Sequence, residues 1–160
     1  MPHLRVENRL LAAGPTVADT IANAALWFGL IRFLAESERP LWSQMSFSAA
    51  EENFHVAAQM GVDAQVYWPG LGQVRATELV LRRLLPMARA GLDAWGVPGE
   101  ESDRYLGIIE QRCLHETSGA AWFVEQVRAR GGQDRYDALR ATVLDYRDRM
   151  HSNEPVHLWD

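Results

Sequence analysis

Residues 16–35 read TVADTIANAALWFGLIRFLA, and the fold of the chain turns on how that stretch packs. Thr16 offers an N-cap hydroxyl with Asp19 three residues on, and Val17, Ile21, Ala24, Phe28, Ile31 and Ala35 then step along one helical face. Trp27, Leu30 and Phe33 make the opposite side apolar too, so the pattern predicts a helix covered on more than one side. Its most apolar part, Ile21 to Ala35, is interrupted by Asn23 and Arg32. At about 15 residues that part falls short of a bilayer span, which predicts a core helix and no membrane.

Upstream, the chain alternates. His3, Arg5, Glu7 and Arg9 share one parity and Leu4, Val6, Asn8 and Leu10 the other, the period of a strand with one polar face over residues 1–12. Gly14-Pro15 closes it.

Downstream, Ser37 to Pro40 reads as a polar turn, and Ser48 with Glu51 as a capping box for a helix ending near Gly61. Val62 to Trp68 has room for a short second strand, followed by a loop at Pro69-Gly70 and Gly72. From Thr77 a long helix carries Val80, Leu81, Leu84, Leu85, Ala88, Leu92 and Trp95, with a kink expected at Pro86. Beyond Val97-Pro98-Gly99 the pattern predicts helices at Ser102 to Leu114, Ser118 to Ala129 and Asp134 to His151. The tail 153–160, with Pro155 and Trp159, is expected to be extended. The whole predicts one mainly α domain over 1–160: an edge strand at 1–12, a helical region at 16–152 and the tail. A single polar-faced strand has too few partners here, as if it closed a sheet supplied from elsewhere.

The bulk numbers exclude several classes. With 48% hydrophobic residues and six tryptophans the chain has too much apolar surface to remain disordered. Its net charge is −5 and its basic residues are scattered, which argues against nucleic acid as a partner. The lone Cys113, on the face of Tyr105, Ile109 and Arg112, reads as structural; no intrachain disulfide can form, in keeping with a reducing cytosol. The start Met-Pro-His-Leu-Arg has no apolar signal core, so a cytoplasmic location is expected. No internal repeat is visible.

The sharpest chemical pattern is Arg5-Val6-Glu7-Asn8-Arg9. On a strand these charged side chains face one way at intervals of about 6.5 to 7 Å, a carboxylate between two guanidinium groups. Such a row suits a divalent ion on the carboxylate and polyphosphate on the arginines, the two needs of ATP chemistry. The plainer reading is an exposed charge ladder, and spacing alone leaves both open. Other groups are weaker. Glu51 and His55 lie one helical turn apart, His115 and Glu116 precede the cap residues Thr117 and Ser118, and His151 and His157 flank Asn153-Glu154-Pro155. Each has a metal or anion reading and a surface or capping reading. The six tryptophans, at 27, 42, 68, 95, 122 and 159, read as core or interface anchors.

Residues 4–28, LRVENRLLAAGPTVADTIANAALWF, resemble the Glu-x-Arg strand, Pro-Thr turn and Ala-rich helix of the glutamate-cysteine ligase type 2 family, one of the glutamine synthetase-like enzymes. Glu52-Asn53-Phe54-His55-Val56-Ala57-Ala58 with Gly61-Val62-Asp63-Ala64 is similar to the family's Glu-Asn-Arg-Trp-x-Ala-x-x-Gly-Leu-Asp-Ala segment. The ending Met150 to His157 resembles the C-terminal region of a bacterial subgroup.

The resemblance implies the helical C-terminal portion of an α+β glutamine synthetase-like catalytic domain, belonging to an ATP-dependent carboxylate-amine ligase. It implies ATP and Mg2+ as cofactors and amino-acid-like substrates. Glu7 would be a magnesium ligand and Arg9 the catalytic contact to the transferred phosphoryl group or the substrate carboxylate. Arg5 and Asn53 would line the binding site. Phe54 and His55 stand where relatives have Arg and Trp, so His55 enters as a substrate contact that differs from theirs. Family members are much longer and draw most metal ligands from earlier strands, so the chain alone is expected to lack turnover. Two other readings remain at this point: a non-enzymatic helical module that pairs its strand with a partner's sheet edge, and a zinc hydrolase built on His151 and His157. An uncovered strand edge and surface tryptophan would also favour self-association.

Overall fold

The computed structural model describes Glu7, Leu11 and residues 13–160. The strand expected over 1–12 therefore lies outside the described residues, apart from Glu7 and Leu11, which are exposed and in no helix or strand. The described chain is mainly helical with one small antiparallel sheet.

Helix α1 spans Val17–Ala35 and starts as its sequence dictates: the Thr16 hydroxyl oxygen accepts from the Asp19 N–H at 3.1 Å. Its packing differs from the expected phase. Val17 is 69% exposed, and Ile21 and Phe28 are also exposed, whereas Ala22 and Gly29 are buried. The inward face is Ala22, Ala25, Leu26 and Leu30, set against Ile108 and Ile109 on one side and Ala88, Leu92 and Leu106 on the other. The reason is a close crossing. A Cβ on Gly29 would lie 2.2 Å from the Ala88 carbonyl oxygen, and one on Gly91 would lie 1.9 Å from the Gly29 oxygen, so two backbones touch where side chains normally intervene. Small residues admit that approach; the large apolar stripe is turned outward. By length and mean hydropathy of 1.3, α1 is the one helix among the described residues long and apolar enough to cross a bilayer. In this fold it packs on the helices Leu85–Ala94 and Gly99–Leu114.

Helix α2, Phe47–Met60, is capped by Ser46, whose hydroxyl accepts from the Ala49 N–H at 3.2 Å, two residues before the expected capping box. After a 3-10 turn at Gly61–Asp63 comes a hairpin, β1 Gln65–Trp68 and β2 Gly72–Arg75, in the register Val66↔Val74 and Gln65↔Arg75. The second strand occupies part of the stretch that reads as a loop. It forms because Gly70 and Gly72, at φ 79° and 71°, turn the chain where other residues are strained, and because Val74 can then join Ala64, Val66 and Leu79 in a small core.

The long helix expected from Thr77 is divided into α3 Ala76–Leu79, a π-helical turn Val80–Leu84 and α4 Leu85–Ala94. Proline 86 has no N–H to donate and crowds the preceding turn; the wider turn ahead of it, with the Leu85 N–H bonded to the Val80 carbonyl, absorbs the conflict. Then follow α5 Gly99–Leu114, α6 Gly119–Ala129 and α7 Arg135–Ser152. Ser118 and Asp134 cap the last two through the N–H groups of Ala121 and Tyr136.

The tail is not extended throughout. Asn153 ends α7 in the left-handed region, and Val156–Leu158 makes a 3-10 turn. Val156 and Trp159 are buried with Trp122, beside Phe123 and Tyr146. The rings of Trp122 and Trp159 meet edge to face at 5.2 Å, and each indole N–H is satisfied, by the carbonyls of Asp160 and Glu154.

Candidate functional site

Of the five residues singled out for binding or catalysis, Arg5 and Arg9 lie outside the described residues. Glu7 is exposed and takes part in an interaction, and Asn53 and His55 belong to α2. The two α2 residues do not converge. Two positions along a helix turn the direction by about 200°, and the structure uses each differently.

Asn53 is half-buried and both ends of its amide are engaged: Nδ2 donates to the Tyr67 carbonyl at 2.8 Å and Oδ1 accepts from the Tyr67 N–H at 2.7 Å. This pair imitates a strand's own hydrogen bonds and fastens β1 to α2. Among the described residues, then, Asn53 holds the hairpin and does not present its amide to a ligand. His55 is exposed, its ring against the edge of Phe54 at 5.6 Å. Glu51 is exposed as well.

Among the described residues no group of three His, Cys, Asp or Glu side chains is placed to hold a metal ion. A magnesium ion takes around six oxygen ligands, several of them often water; Glu7 supplies a single carboxylate. The described side chains therefore do not by themselves fit a magnesium site, and no chemical step is derived through one. The zinc reading of the tail finds no support: His151 is exposed, and His157 stacks on His115 instead, with ring centroids 6.4 Å apart and planes inclined by 23°.

What the structure does gather is a node around Asp19, and sequence reasoning saw only half of it. Asp19 is wholly buried. Its Oδ2 accepts from the Thr16 hydroxyl at 2.7 Å and from the Val156 N–H at 3.1 Å, 137 positions away. Alongside, Asn153 Oδ1 accepts from the Ala18 N–H at 3.1 Å, so the start of α1 is capped by its own threonine and by the end of α7. A buried carboxylate without partners costs several kcal/mol, and here two charge-assisted hydrogen bonds and the α1 N-terminus offset that cost. Among the described residues the remaining oxygen, Oδ1, has no hydrogen bond, and neither have the nearby His157 Nδ1 or Arg112 Nε. Arg112 uses Nη1 to reach Asn23 Oδ1 at 2.8 Å.

The environment moves the neighbouring groups. Burial holds the His157 imidazole below its ordinary value; the Asp19 carboxylate opposes this, while His115 and Arg112 add to it. Burial, with Asp19 adding, pushes the Tyr146 phenol up. Burial also raises the Cys113 thiol, with Arg112 opposing, which fits an unreactive core cysteine. The node has the chemistry of a latch between the two ends of the described chain. The sequence signal for its local half was the Thr16/Asp19 spacing; its long-range half has no sequence signal.

Compared with protein-family models, with curated proteins and with solved structures, the chain matches none.

Proposed function

We propose that this chain is the C-terminal, helical part of a cytoplasmic ATP-dependent carboxylate-amine ligase of the glutamate-cysteine ligase type 2 kind, within a glutamine synthetase-like catalytic domain. The observation that carries the reading is the likeness of residues 4–28 and 52–64 to two separate family motifs in the right order. The use of those residues supports it. The Pro15-Thr16 turn is buried and pinned by Asp19, which gives the segment bearing Glu7 and Arg9 a rigid point of departure, and Asn53 pins the hairpin to its helix. The surface adds a second support. Trp42 and Phe47 are 80% and 82% exposed and α2 buries no residue at all, the condition of an element whose cover comes from a larger body.

In the proposed reaction the γ-phosphoryl group of ATP passes to a substrate carboxylate, giving an acyl phosphate and ADP. An amine nitrogen then attacks the acyl carbon, inorganic phosphate leaves, and the amine proton goes to solvent as the amide forms. Arg9 would neutralise the phosphoryl oxygens and Arg5 would assist from the same face. Magnesium would screen phosphate charge, with Glu7 contributing one of its ligands and the remainder coming from outside the described residues.

The test is ADP release by the longest reading frame that contains these 160 residues, supplied with ATP, magnesium, glutamate and a panel of amines. Amine-dependent ADP release, lost in Arg9→Ala and Glu7→Gln variants that keep the wild-type helical spectrum, is the expected result. Turnover by the 160 residues alone, or variants as active as wild type, would contradict the assignment. The exposed aromatic face also favours a second reading, a non-enzymatic module that docks on a partner. No ADP from the long frame, together with stable capture of a partner lost on Phe47→Ser, would select it.

A further inference from the structure

The positive charge of this acidic chain is locally concentrated. All 16 basic residues are arginines against a net charge of −5, and three of them, Arg75, Arg82 and Arg83, line one open cleft of about 420 Å³ with Gln65, Gln73 and Glu78. That volume is within the usual range for a small-molecule site.

Local structure explains the convergence. Alternation along the hairpin sends Val66 and Val74 to the core, and the register that pairs Gln65 with Arg75 puts Gln65, Gln73 and Arg75 on the other face. The π-helical turn that accommodates Pro86 presents Arg82 and Arg83 side by side opposite them. Such turns recur at functional sites. Two of the arginines rest on carboxylates, Arg75 on Glu116 at 2.6 Å and Arg82 on Glu78 at 2.7 Å. Both pairs are exposed, hence worth little and easily exchanged for the oxygens of a ligand. Arg83 is exposed and has neither an ion pair nor a hydrogen bond among the described residues.

We propose that this cleft binds a phosphate-bearing small molecule, with Arg75, Arg82 and Arg83 forking onto its phosphoryl oxygens and Gln65 and Gln73 donating amide hydrogen bonds. Three guanidinium groups against the two carboxylates that pair with them, Glu78 and Glu116, leave the cleft net positive and rich in N–H donors, and the several anionic oxygens of a phosphate or diphosphate match that array of forks. The inference stands apart from the ligase reading, because it uses none of the residues of that site.

Calorimetric titration of the chain at constant ionic strength, without divalent metal, tests it with inorganic pyrophosphate, ATP and citrate as probes. Saturable binding of pyrophosphate well below about 1 mM is expected. Arg83→Ala should weaken it roughly tenfold or more and leave the urea midpoint unchanged, since that side chain makes no internal bond. Arg140→Ala, at an exposed position of α7, should leave binding unaltered and so exclude a general polyanion effect. Equal binding of ATP and pyrophosphate assigns recognition to the phosphates alone; tighter ATP binding adds a contact to the nucleoside. No saturable pyrophosphate binding, citrate binding as tight as pyrophosphate, or an Arg83→Ala variant that binds like wild type overturns the proposal. Failure here leaves ADP release by the long frame untouched, and loss of that activity leaves pyrophosphate binding untouched.

Discussion

Helices α1 and α2 are neighbours in the chain, yet they are built on opposite terms. The α1 helix carries large apolar residues and buries small ones, letting α4 approach until Gly29 and Gly91 meet backbone to backbone, with α5 closing the other flank. The α2 helix carries Phe47, Phe54 and Met60 outward, buries nothing fully, and is tied down by Asn53 and by Val56 against the hairpin core. The first is the stability of the molecule; the second is attached to it. Where apolar residues stand in a sequence therefore says less about the core than where small residues permit contact.

Gly91→Ala should break this contrast most severely. Its methyl group would fall on a carbonyl that cannot move without displacing a helix, so a loss of about 3 kcal/mol or more is expected in urea unfolding. Phe47→Ser on α2 should shift the same midpoint by less than about 0.5 kcal/mol.

Asp19→Ala comes next. It strips partners from the Thr16 hydroxyl and the Val156 N–H, and a loss of about 2 to 3 kcal/mol is expected. Release of the Trp159 ring should accompany it, read as a red shift of tryptophan emission; a folded variant with wild-type emission would show that aromatic packing holds the tail without the latch.

Asn53→Ala sharpens the comparison from the other side. Hydrogen exchange should accelerate in Gln65–Arg75 while α1, α4 and α5 keep wild-type protection. Equal acceleration in both regions would mean that the hairpin and the bundle unfold as one unit.

The smallest effect is acid loosening of the tail. The folded His157 imidazole titrates below its ordinary 6.5, so the folded state resists its protonation: the contribution is present above that value and is lost as pH falls through the lower folded value. The charged and titratable groups acting on it are Asp19 on α1, Arg112 on α5 and His115 just beyond it. Tail protection factors, corrected for the intrinsic pH dependence of amide exchange, should fall below about pH 6 in the wild type, and His157→Gln should flatten that fall; an unchanged slope would assign the acid response to other groups.

Much of the secondary structure was legible because its causes are local. The helices at Thr16, Ser118 and Asp134 start where a side-chain oxygen meets an orphan N–H a few residues on, and Pro86 disrupts the regular turn that precedes it. The hairpin was half legible, since β2 is only four residues long and looks like part of its own turn. Asn53 carried a motif but gave no sign that Tyr67 would take both ends of its amide. The arginine cleft was invisible because Arg75 and Arg82 are brought together by a register and a widened turn, neither of which has a spacing signature.

By itself the sequence determined a mainly helical chain, most of its helix starts and breaks, and the absence of an intrachain disulfide, because these follow from backbone hydrogen bonding and composition within a few residues. Only the tertiary structure decided which face of α1 is buried, that Asp19 holds Val156, and that three arginines share a cleft. The first two outcomes depend on the approach of segments tens to more than a hundred positions apart, where excluded volume and buried polar groups, not local propensity, choose among the patterns a sequence allows; the third depends on the hairpin register and the widened turn.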